Sequence, residues 1–213
     1  MTVIDKLASS LQRADEAPNL ELAREIVDTG DANSVSELVD LLVHSKSTPV
    51  QSDCIKVLYE VGEQAPSLLA PYVQNLLALL GRKNNRLQWG AMKALGAVTP
   101  ERPDEVYAAL DHLLAVADQG SVITKDGAVV VLTHLCQVDR YYERAFAALI
   151  SLLQTCPGNQ LPAYAEQAIT VVREPHRSAL KSTLRARLPD LEKASKQKRV
   201  EKVLGALENN KSS

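Results

Sequence analysis

Small and apolar side chains recur along this chain at the three-to-four-residue spacing of one helix face. In the stretch Asn85 to Val98 the stripe is Leu87, Ala91, Leu95 and Val98. Shifted by multiples of 37 residues, position 91 aligns with Cys54, Ala128 and Ala165. Position 95 aligns with Leu58, Leu132 and Ile169, and position 98 with Val61, Leu135 and Val172. All twelve residues are small or apolar. A second column runs beside the first: Val39, Leu76, Leu113 and Ile150, then Leu42, Leu79, Val116 and Leu153. Two helices per unit at one fixed period predict an all-α tandem array, in which each unit buries its apolar face on the next.

The pattern predicts first helices over 34–44, 67–80, 104–117 and 140–154, and second helices over 49–63, 85–98, 122–137 and 161–173. Turn signals such as Gly81-Arg82-Lys83-Asn84-Asn85 and Pro157-Gly158-Asn159 separate them. Ser34 and Asp104 are the expected helix starts, and Pro66 and Pro103 stand where a missing N–H costs nothing. Val129-Val130-Val131 is β-prone by itself, but the helical register runs through it. Before the regular units, residues 1–33 predict a cap pair. Its first helix is 2–13, with Thr2 as N-cap; a turn follows at Pro18, then a helix over 20–29 stopped by Gly30. The register fails after Val172. Residues 174–208 are expected to form two basic cap helices, 175–187 and 190–208, followed by a disordered tail over 209–213. The expectation is a single domain, 1–213, of about 12 helices.

Tandem two-helix units of 37 residues, with L-x-x-x-A-x-x-x-L-x-x-V in the second helix, resemble the HEAT-repeat and armadillo-like families over about residues 34–173. The resemblance implies a right-handed α-α superhelix whose second helices line a concave face that holds a partner. One helical-repeat family, the bacterial alkylpurine DNA glycosylases, binds DNA there with aromatic residues and a carboxylate. Trp89, Tyr59, Tyr164 and Asp126 are loose analogues, without a shared motif.

Composition narrows the chemistry. Aromatics are only 4%, so the core must come from Leu, Val, Ile and Ala. The net charge of −2 exerts no global pull toward nucleic acid or a membrane surface. Residues 173–202 nevertheless carry a local balance of +6, an acidic-partner or phosphate contact in one reading and solvated cap helices in the other. Three widely spaced cysteines and no apolar run of membrane length fit a reduced, cytoplasmic protein without a membrane segment. The four histidines lack metal-ligand spacing, and no phosphate-binding loop or nucleophile motif is present, so no metal, cofactor or catalytic residue is expected.

Helix geometry then selects a face. With Ala91 set at zero, Trp89 falls near 160°, and Lys93 and Arg86 near −160° and −140°, all away from the buried direction. With Lys56 and Tyr59 of the preceding unit they form a basic-aromatic patch, extended by Lys125 and Asp126 of the following one. The expected function is a non-catalytic scaffold that binds a protein partner through these residues. The alternative is a nucleic-acid-binding protein, possibly a glycosylase-like repair enzyme.

Overall fold

Several helices in this chain begin where a side-chain oxygen or a proline meets amides that lack a partner. Residues 2–209 are described by a computed structural model, and all regular structure among them is helical. Residues 210–213 of the expected disordered tail lie outside the described residues. Two compact units are distinguished, Met1–Val131 and Leu132–Ser213.

The first unit contains α1 (Ala17–Thr29), α2 (Ala32–His44), α3 (Thr48–Gln64), α4 (Pro66–Leu69), α5 (Val73–Leu79), α6 (Asn85–Val98), α7 (Pro103–Ala108), α8 (Leu110–Gln119) and most of α9 (Val122–Leu135). Asp31 caps α2 by accepting the Asn33 and Ser34 amides at 3.0 and 3.1 Å. Asn84 caps α6 through the amides of Arg86 and Leu87 at 2.9 and 3.3 Å. Gly30 ends α1 with φ of 64°, a left-handed conformation that favours glycine.

Three expected helices are corrected. Residues 2–13 are not an α-helix: a 3-10 turn covers Val3–Lys6, and Leu7 is extended. The amides that would continue a helix are taken by side chains instead. Ala8 N–H donates to Asn19 Oδ1 at 3.0 Å and Ser9 N–H to Asp53 Oδ2 at 2.7 Å. The helix expected over 67–80 is split by a 3-10 turn at Ala70–Tyr72, because Pro71 has no N–H to give the ladder. The helix expected over 104–117 is split at Ala109 (φ −95°, ψ 8°), whose N–H turns back only three residues to Val106. Pro18, expected in a turn, lies instead within the first turn of α1.

The stripe is the core of the helix pairs. Cys54, Leu58, Val61, Leu87, Ala91, Leu95, Val98, Ala128, Leu132, Leu135 and Ala165 are buried. Ile169 and Val172 are half-buried where α11 (Leu161–Val171) ends. α3 and α6 approach closely because Gly90 has no side chain. A Cβ there would stand 2.6 Å from Ile55 Cγ1.

The second unit contains the end of α9, α10 (Asp139–Thr155), α11, α12 (Glu174–Arg187) and α13 (Ala194–Asn209). A stacked Tyr142–Phe146 pair, 5.4 Å between centroids, fills its core, and the His176 ring packs on both.

Candidate functional site

α3 and α6 bring five of the seven expected residues together. Tyr59 on α3 and Trp89 on α6 lie 5.7 Å apart between ring centroids, tilted by 48°. Lys93 Nζ stands 4.2 Å and Lys56 Nζ 4.9 Å from the Tyr59 centroid. The Arg86 guanidinium lies 4.8 Å from the Trp89 ring. Trp89, Arg86 and Lys93 are half-buried, whereas Tyr59 and Lys56 are buried beneath them. The rim available to a partner is therefore Arg86, Trp89 and Lys93, over a floor of Tyr59 and Lys56.

The patch is not simply basic. Each cation has a carboxylate. Lys56 Nζ lies 2.8 Å from Glu60 and 3.1 Å from Glu16, Lys93 Nζ lies 2.9 Å from Glu63, and Arg86 Nη2 pairs with the other oxygen of Glu16. Burial works against the Lys56 charge. Bonds to Glu60, Tyr59 and Glu16 outweigh that and hold its pKa above the ordinary lysine value. Burial likewise raises the Glu16 carboxyl, but bonds from Arg86 and Lys56 outweigh it, so the pKa lies below the ordinary glutamate value. Arg86 uses one guanidinium nitrogen on Glu16, and its buried Nε has no hydrogen-bond partner.

Helical angles alone do not find these three acids. Glu60 is readable in principle, four residues from Lys56 on one helix. Glu16 comes from just before α1 and has no local signal. Lys125 and Asp126 are half-buried on α9, which packs against α6 where Gly127 meets Met92. Tyr164 is buried in α11.

The basic C-terminal residues are largely occupied inside their own unit. Arg187 donates to the carbonyls of Leu153, Gln154 and Cys156 at 2.7, 2.7 and 2.8 Å, closing the end of α10. Arg173 donates to Cys136 O at 3.2 Å, just past α9, and Arg177 to Ala206 and Leu207 O at 3.3 and 3.1 Å near the end of α13. Arginine at a helix C-terminus satisfies carbonyls that have no helical partner and opposes the negative end of the dipole. Arg199 forks onto Glu166 at 2.8 and 2.6 Å.

Burial pushes the thiols of Cys54 and Cys136 up to about 12, which leaves neither a thiolate at neutral pH. Among the described residues, no helix is long and apolar enough to cross a membrane.

Neither a protein-family model nor a curated protein matches the chain. Engineered proteins from a structural genomics consortium share its fold. One superposes with a TM-score of 0.60 at 17% identity over 98% of this chain and 97% of that one. Another superposes with a TM-score of 0.60 at 18% identity, covering 96% of this chain and 58% of that one. At such identities the likeness shows the fold alone.

Proposed function

We propose that this chain is a HEAT-like helical-repeat scaffold that holds a protein partner on the α3–α6 face and carries no catalysis of its own. One observation carries this reading: a half-buried tryptophan, braced by Tyr59 and Arg86, on a rim whose cations are already matched by carboxylates. Large rigid aromatics with an adjacent arginine are the residue types that dominate protein–protein contacts. A nucleic-acid partner needs cations free to replace counterions on phosphate. Here Lys56, Arg86 and Lys93 are engaged with Glu16, Glu60 and Glu63, which favours a protein.

A tagged pull-down tests the reading, comparing wild type with Arg86→Glu/Trp89→Ala/Lys93→Glu, with and without nuclease. The expected result is a protein retained by wild type through nuclease treatment and lost by the triple variant. Capture that disappears with nuclease supports nucleic acid instead, and identical capture by both proteins removes the face from consideration.

A further inference from the structure

Taking the α3–α6 face as the docking surface, we propose that Glu16 is an internal stand-in for a partner carboxylate, and that an acidic peptide displaces it from between Lys56 and Arg86.

Glu16 occupies the N-cap position of α1, yet its side chain caps nothing. Asp15 Oδ1 accepts the Ala17 amide at 3.0 Å in its place. The Glu16 carboxylate instead bridges Lys56 on α3 and Arg86 on α6, far away in sequence. Its side chain is 45% exposed, so rotation about its own bonds withdraws the carboxylate without disturbing α1. The grip on Arg86 is single-pronged, short of the two-nitrogen fork that gives arginine–carboxylate pairs their strength.

The charges of the cluster specify what replaces it. With Glu16 swung out, Lys56, Arg86 and Lys93 face only Glu60 and Glu63. The residual positive charge is cancelled by one incoming carboxylate. Trp89, braced from below by the buried Tyr59, supplies flat area for the peptide on which that carboxylate is carried. An internal ligand that must be displaced lowers apparent affinity by the fraction of time the site stands open. Removing it therefore tightens binding.

Trp89 is the single tryptophan of the chain and lies against Arg86, so its fluorescence reports the site directly. The full-length protein is titrated with N-acetyl-pentaglutamate, with pentaserine and inorganic phosphate as controls. Glu16→Gln is expected to reach half-saturation at roughly tenfold lower pentaglutamate than wild type. Glu16→Gln/Arg86→Gln is expected not to bind. Arg86→Lys on the Glu16→Gln background keeps a cation, and is expected to weaken binding several-fold in a protein that melts normally. Equal half-saturation in wild type and Glu16→Gln overturns the inference. So does affinity unchanged by Arg86→Lys, or an equal response to phosphate. If the pull-down depends on Arg86, Trp89 and Lys93 while pentaglutamate has no preference for Glu16→Gln, the docking surface stands and the role of Glu16 falls. A pull-down indifferent to those three residues removes both.

Discussion

At the scale of the residue, the candidate site is governed by paired charges. Glu16 has a depressed pKa, so its contribution to stability is complete above its ordinary value of 4.5 and is lost as pH falls through the lower folded value. Lys56 has a raised pKa, so its contribution is complete below 10.5 and is lost only in stronger alkali. Trp89 emission is therefore expected to be flat from neutral pH down to about 4.5 and to change below it. The acid step should be smaller in Glu16→Gln, where only the Glu60 and Glu63 pairs remain in the cluster. Packing contributes a second residue-scale expectation. Gly90→Ala places a methyl 2.6 Å from Ile55, a β-branched side chain with little freedom to move. Overpacking outweighs the gain in helix propensity, and a net loss of about 1–2 kcal/mol is expected by chemical denaturation. A methyl group added at Gly205 on α13 meets nothing within 4 Å, so Gly205→Ala is expected to stabilise by about 0.5–1 kcal/mol.

At the scale of the element, helix ends are set by particular side chains, and this decides what could be read in advance. The limits of α6, 85–98, were legible because Asn84 caps it and the stripe fills it. The end of α1 was legible in Gly30. The N-terminal segment was not, because Asn19 and Asp53 withdraw its amides from a helix, and a spacing of 44 residues between Ser9 and Asp53 leaves no local trace. Asp53 also accepts the Asn19 side-chain amide at 2.7 Å, so it anchors that segment twice. Asp53→Ala is expected to accelerate hydrogen exchange at the Ala8 and Ser9 amides while leaving α6 protected. Arg187 plays the corresponding part at the end of α10. Its side chain is only 16% exposed and reaches three carbonyls. Arg187→Met leaves those carbonyls without their charged donor, and a loss of about 2–3 kcal/mol is expected in a thermal or denaturant melt.

At the scale of the whole chain, the period of 37 residues was the most legible feature, because burial imposes the same demand on every unit. The apolar columns therefore identified the second helices and the inward faces, but not the breaks at Ala70–Tyr72 and Ala109 that split two of the first helices. The site was legible only by half. Helical angles placed Arg86, Trp89 and Lys93 on one side and joined them to Lys56 and Tyr59, but counted their charges as free. Glu16 and Glu63 were hidden because an ion pair between different elements has no spacing rule. The basic C-terminal stretch shows the same effect, since a run of arginines in sequence becomes a set of helix-end donors in the fold.

Site-specific photocrosslinking in cells probes the α3–α6 face most directly. p-Benzoylphenylalanine is placed at Asn85, exposed at the start of α6, and for comparison at Lys202, exposed on α13. One dominant protein adduct is expected from position 85, lost when Trp89→Ala is added, with none of that identity from position 202. No adduct from position 85, or the same adduct from both positions, would remove the α3–α6 face as the docking surface.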